Sequence, residues 1–128
     1  MIKRLIKRFI TSFANALIGL VTAFRVDLSF RTHIVVTLPF LIIFTFFIKP
    51  NSYELLIMVI AFGIVLIAEL LNTSIETLLN RLHPDRHQAI AASKDIAAGA
   101  VFVGYGILAT VLGVILWEHV LCCLGGHV

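Results

Sequence analysis

The sequence predicts an all-α integral membrane protein, an N-terminal amphipathic surface helix followed by three transmembrane helices, in a single membrane-embedded domain covering residues 1–128. Three observations predict it. Of 128 residues, 60% are apolar and 13% charged, too oily a balance for an ordinary soluble domain. The apolar residues gather into runs at 32–48, 55–71 and 96–117, each near the roughly 20 residues that cross a bilayer as a helix. The cations gather between those runs and ahead of them rather than inside them.

The first element, about 2–24, carries Ile2, Leu5, Ile6, Phe9, Phe13, Leu17 and Leu20 at helical spacing. Lys3, Arg4, Lys7, Arg8, Thr11, Ser12 and Asn15 lie opposite. A helix of that kind lies in the membrane interface with its apolar face down. A soluble helix against a protein core is the alternative, but the chain has little core to offer it. A cleaved signal peptide ending at "ANA" is a poor fit, because the apolar stretch before residue 14 is too short.

The first span, 32–48, ends at "KPNSY", where Pro50 stops a helix and Asn51 and Ser52 favour a tight connection. The second span runs over about 55–79 and begins with fourteen residues, 55–68, that have no polar side chain. A polar segment, 80–93, interrupted by Pro84 leads to the third span at about 95–117. Of ten Lys and Arg, six lie at 3–31 and three at 81–94, leaving only Lys49 for the far side. By the positive-inside rule the N-terminus and the second connection are cytoplasmic. The net charge of +3 then reports topology and contact with anionic lipid, and nucleic acid is not an expected partner. Cys122 and Cys123 are adjacent, which disfavours a mutual disulfide; they read as apolar filler or as an intersubunit contact.

Chemistry concentrates where the second span ends, in "ELLNTSIE". At about 100° per residue, Glu69, Asn72 and Glu76 fall near 0°, 300° and 340° on the helical wheel, with Thr73 bordering them near 40°. Glu69 stands roughly 21 Å along the span from Leu55, near the inner edge of the hydrocarbon. An ionised group at mid-bilayer costs at least about 2.5 kcal/mol, so such acids are expected at an edge and in partnership. Glu76 alone could simply be solvated. The trio on one stripe suits a Mg²⁺ ion, or a metal ligand paired with a proton acceptor. "SKDIAAGA" opens the third span, placing Lys94 and Asp95 at an expected helix N-terminus that favours anions, although a capped helix with Lys94 reaching to headgroups explains the same residues. Asp27, between Arg25 and Arg31, is a third acid brought to the cytoplasmic face. "GYGILA" matches a dinucleotide pattern but lies inside an apolar span, and is read as helix packing. His83 and His87 flank Pro84, which breaks the helix a zinc pair would need.

"AELLNTSIETLLNRL" followed by "ASKDIAAGAVF" resembles the prokaryotic diacylglycerol kinase and undecaprenol kinase family of small membrane lipid kinases, over residues from about 5 to 117. Ser12, Phe13, Ala16, Gly19 and "FRTH" add to the likeness. The resemblance implies a homotrimer in the bacterial cytoplasmic (inner) membrane that moves the γ-phosphate of MgATP to a lipid hydroxyl. It implies Glu69 as general base with Asn72 holding it, and Glu76 with Asp27 on Mg²⁺. Lys94, Asp95, Glu76, Asp85, Arg86, His87, Arg8 and Asn15 would contact ATP, and Glu69 and Ala98 the lipid. Asp27 departs from the usual Glu, and Ala98 from the Ser common in the diacylglycerol branch; the second departure tilts the expectation toward undecaprenol over diacylglycerol. Two other classes compete: an oligomeric transporter or channel lined by Glu69 and Asn72, and a non-catalytic membrane adaptor anchored by its basic helix. Phosphate transfer to a lipid discriminates the first class from both.

Overall fold

The computed structural model describes residues 1–82 and 88–125. They form four long helices, α1 (Ile2–Val26), α2 (Leu28–Ile48), α3 (Ser52–Leu82) and α4 (Gln88–Gly125). All four are long and apolar enough to cross a membrane. The nearly all-helical architecture is that of an integral membrane protein.

Asp27 makes the corner between α1 and α2. Its extended backbone (φ −109°, ψ 119°) ends α1 while its Oδ1 accepts from the Ser29 N–H at 2.9 Å, capping α2. Arg31 seals the same corner. Its guanidinium donates to the Phe24 and Arg25 carbonyls at 3.2 and 2.9 Å, which the end of α1 leaves without helical partners. The helix after the corner therefore starts at Leu28, earlier than the apolar run suggests, because a capped turn precedes it.

Within α2, residues 33–37 widen into a π-helical turn, and the Leu38 N–H reaches back five residues to the His33 carbonyl. Pro39 is the cause. It has no N–H for the Val35 carbonyl, and its ring crowds that position in a regular α-helix, so the turn before it opens. α2 ends on Lys49 in the left-handed region (φ 53°, ψ 56°), and Pro50 prevents continuation. Asn51 then caps α3 reciprocally: its Oδ1 accepts from the Tyr53 and Glu54 N–H groups at 2.9 and 3.0 Å, while Glu54 Oε2 accepts from the Asn51 N–H at 2.6 Å. A turn expected to be tight is thus also rigid at both helix ends.

α3 and α4 pack along one another and carry the core, with Met58, Ala61, Phe62 and Val65 facing Leu108 and Ile115, and Leu41 of α2 joining them. Gly104 lets the backbones close up. A Cβ there would meet the Val65 Cα and Cγ2 at 3.4 Å, and Val65 is fully buried. Apolar surface gains nothing from leaving lipid for another helix, so close fit of small residues is what holds spans together. Outside this seam large side chains point outward; Phe46, Phe47 and Phe102 are each more than 70% exposed. That much uncovered apolar surface requires lipid or further helices.

α4 as described begins at Gln88, six residues before Lys94. The expected helix start at 93–95 is therefore corrected: Ser93 Oγ donates back to the Ala89 carbonyl at 3.0 Å, as a residue inside a helix does. "QAIAAS" contains no breaker, so the helix includes it.

Candidate active site

On α3 the polar positions Glu69, Thr73, Glu76 and Asn80 succeed one another by four, three and four residues. At about 100° per residue they form one stripe, roughly 60° wide, that climbs from the core of the bundle toward the Leu82 end of α3. Three of its four steps meet a different part of the chain.

Glu69 is the deepest and is 3% exposed. A carboxylate so enclosed needs a polar partner, and His33 provides it, with Nε2 3.7 Å from Oε1. His33 is itself buried and its Nδ1 is hydrogen-bonded to the Tyr105 hydroxyl of α4. The widened turn of α2 begins at this histidine; local π-geometry of this kind is often found at functional sites.

One turn outward, the Thr73 hydroxyl is bonded to Asp27 Oδ2 and lies 2.9 Å from the Glu69 carbonyl. A hydroxyl has one proton, and the charged acceptor makes the stronger bond, so Thr73 docks the α1–α2 corner onto α3. This bond brings Asp27 alongside the step of the stripe between Glu69 and Glu76. The Glu76 carboxylate is half-buried and has no hydrogen-bond or ion-pair partner among the described residues. At the outer end the Lys94 ammonium donates to Asn80 Oδ1 at 2.5 Å. Asn80 stands one turn beyond Glu76, so the lysine of α4 reaches the acidic stripe from inside its helix rather than from its start.

Among the described residues no three His, Cys, Asp or Glu side chains converge as a metal cluster. Mg²⁺ ordinarily takes one or two carboxylates and fills its shell with water and phosphate oxygens; an unpartnered Glu76 with Asp27 beside the preceding turn fits that mode.

The remaining expected site residues are less assembled. Asn72 makes no hydrogen bond to Glu69 among the described residues, and its Oδ1 is buried without a hydrogen-bond partner. Asp95 and Ala98 are exposed on α4. Arg8 and Asn15 are exposed on α1 and make no polar contact with the acids among the described residues. Asp85, Arg86 and His87 lie outside the described residues, as do His83 and Pro84. Cys122 and Cys123 are free and exposed.

Beside the stripe runs a groove of about 830 Å³ between α1 and α3, mostly apolar, with Ala16 and Gly19 on one wall, Leu70 and Thr77 on the other, and Arg81 at the end nearest Leu82. Thr73 borders both groove and stripe. Ala16 and Gly19 keep that wall low, and a Cβ added at Gly19 meets nothing within 4 Å.

Sequence reasoning passed over His33, Tyr105 and Pro39 as parts of the site. The signal was present: a histidine and a tyrosine inside apolar runs have to find polar partners, but only the fold says they find each other and Glu69.

The family model for prokaryotic diacylglycerol kinase matches residues 14–116. The chain is 33% identical over 108 residues to a diacylglycerol kinase of Haemophilus influenzae, covering 84% of this chain and 91% of that protein. It is 29% identical over 111 residues to a diacylglycerol kinase of Pseudomonas aeruginosa, covering 87% and 89%. It is 30% identical over 112 residues to an undecaprenol kinase of Bacillus subtilis, covering 88% and 89%.

Proposed function

The chain belongs to the prokaryotic diacylglycerol kinase family, and from that premise we propose that it is a lipid kinase moving the γ-phosphoryl group of ATP to a lipid hydroxyl at the cytoplasmic membrane face. The observation that carries the reading is the stripe from Glu69 to Asn80, onto which α2 brings His33, the α1–α2 corner brings Asp27, and α4 brings Lys94. It spans, on one helix face, the depth from hydrocarbon to cytosol, where a lipid hydroxyl and a soluble nucleotide can meet.

Glu69 accepts the proton of the lipid hydroxyl as its oxygen bonds to the γ-phosphorus; the bond from that phosphorus to the β–γ bridging oxygen breaks, and ADP leaves with the electron pair. Such transfer requires chiefly in-line positioning and cations on the phosphate oxygens. Glu76 and Asp27 would hold Mg²⁺, which when bound neutralises phosphate charge. Lys94 and Asp95 contact the nucleotide, with Asp85, Arg86, His87, Arg8 and Asn15 around it. Asn72, whose amide oxygen lacks a partner, supports the lipid hydroxyl or Glu69 once substrate fills the site. The groove between α1 and α3 takes the hydrocarbon of the lipid, its Arg81 end toward the headgroup.

In this reading α1 is the surface helix, since its basic positions Lys3, Arg4, Lys7 and Arg8 share one face, and α2 to α4 span the inner membrane with the N-terminus cytoplasmic. The apolar faces left open by one chain, and the separation of Arg8 and Asn15 from the acids, favour a homotrimer. "KDIAAGAV" with Ala98 favours undecaprenol as the acceptor. Diacylglycerol is the second reading, because two of the relatives carry that name at similar identity.

The test is transfer of labelled γ-phosphate from ATP, with Mg²⁺, to undecaprenol and to diacylglycerol in parallel. A labelled lipid product that disappears in Glu69→Gln is expected, the loss being of the order of 100-fold or more for a general base. Transfer to neither lipid would return the chain to the transporter or adaptor classes.

A further inference from the structure

We propose that Tyr105 and His33 form a positioning pair for Glu69, with Tyr105 setting the histidine tautomer that presents an N–H to the carboxylate. The proposal rests on the reading of Glu69 as the proton acceptor. An ionised carboxylate can only accept hydrogen bonds, so the Nε2 that faces Glu69 Oε1 at 3.7 Å must carry the proton. A neutral imidazole then has a bare Nδ1, and the Tyr105 hydroxyl, 3.4 Å from Nε2, stands nearer to Nδ1. The phenol donates to Nδ1 and fixes the proton on Nε2.

Two further observations single out this pair. The rings pack at 5.1 Å between centroids, tilted by 57°, so the tyrosine restrains the plane of the imidazole as well as its proton. The π-helical turn forced by Pro39 begins at His33, so the geometry of that turn sets where the imidazole leaves α2. The separation of 3.7 Å is longer than a hydrogen bond, and such contacts commonly tighten when substrate fills the site. The pair acts through Glu69, holding one carboxylate oxygen, and Ser29 is a second polar neighbour of that carboxylate.

The experiment uses the full-length protein in lipid bicelles, with steady-state kinetics for MgATP and for whichever lipid the wild-type protein phosphorylates. Tyr105→Phe is expected to lower kcat about tenfold to a hundredfold, the scale of misplacing a reacting group, with both KM values within about twofold. His33→Gln, whose amide supplies an N–H without help from the phenol, retains more activity than His33→Leu. Adding Tyr105→Phe to His33→Gln then costs nothing further. The imidazole ¹⁵N spectrum reports a single Nε2–H tautomer in wild type and a mixture in Tyr105→Phe. Unchanged kcat in Tyr105→Phe, multiplicative losses in the double variant, or an identical tautomer in both proteins would overturn the pair. Glu69→Gln separates the two claims: an inactive Glu69→Gln beside a wild-type Tyr105→Phe removes only the pair, whereas an active Glu69→Gln removes the proton acceptor and the pair together. Thermal melting of each variant identifies any that fails to fold, and for such a variant the tautomer measurement on Tyr105→Phe decides.

Discussion

Replacing Asp27 by asparagine removes a charge while leaving almost every contact of the side chain in reach, and replacing it by alanine removes both. Asp27 has two structural duties, Oδ1 on the Ser29 N–H and Oδ2 on the Thr73 hydroxyl. Asparagine caps helices as well as aspartate, so its amide oxygen can keep the first. Its NH₂ would then face Thr73, whose proton can turn to the Glu69 carbonyl 2.9 Å away and leave the hydroxyl oxygen as acceptor. Both bonds survive, and only the strength of the charge-assisted one is lost, about 1 kcal/mol. Alanine loses the cap, about 0.5–2 kcal/mol, and the bond from Thr73 to a charged acceptor, about 1.5–3 kcal/mol. Neighbouring losses do not simply add, so a total of about 2–4 kcal/mol is the expected destabilisation.

Activity should separate from stability in these two variants. If Asp27 serves only to dock the corner, Asp27→Asn is close to wild type in both respects. If its charge helps hold the cation on the nucleotide, Asp27→Asn melts near wild type but loses about 100-fold in kcat/KM for MgATP, several kcal/mol being the scale of charge stabilisation by a metal at phosphate. Raising Mg²⁺ recovers part of that loss. The measurements are thermal melting in detergent and a Mg²⁺ titration of phosphate transfer for wild type, Asp27→Asn and Asp27→Ala. We expect the second pattern. An asparagine variant with wild-type activity and an unshifted Mg²⁺ requirement would refute the assignment of Asp27 to the metal.

Gly104→Ala should be tolerated or slightly stabilising, because its Cβ contacts at 3.4 Å are near ordinary van der Waals separation and alanine favours helix by up to about 1 kcal/mol. Gly104→Leu has no room beside the buried Val65 and should cost about 1–3 kcal/mol, read as a lowered melting temperature. Asn51→Ala removes both halves of the cap at the start of α3 and should destabilise by about 0.5–2 kcal/mol, with phosphate transfer at permissive temperature unchanged. Ala98→Ser should move the ratio of kcat/KM toward diacylglycerol relative to undecaprenol by less than about tenfold, the scale of one added polar group on an exposed helix position; an unmoved ratio would remove Ala98 from the lipid contacts.

What the sequence made legible divides along a physical line. Information local to one helix could be read directly: the apolar runs give the spans, "KPNSY" gives the turn, and a period of about 3.6 residues gives the face that Glu69 and Glu76 share. The choice between Asn72 and Thr73 as the third member could not be read that way, because both border the same face at similar angles. What the helix alone does not give is the α1–α2 corner, which brings Asp27 to Thr73. The start of α4 was misplaced for a related reason. Ser93 and Asp95 have the chemistry of caps, but a cap works only where the preceding residues are not already helical, and here they are. His33 and Tyr105 are 72 positions apart, and no periodicity within a helix links them. In a membrane protein such residues still announce themselves by cost: a polar side chain in an apolar run needs a partner, and when three of them, His33, Glu69 and Tyr105, sit on three different helices, mutual satisfaction is the economical arrangement. Intramembrane polar groups taken as a set to be paired across helices, rather than one helix at a time, point to His33 as a partner for Glu69.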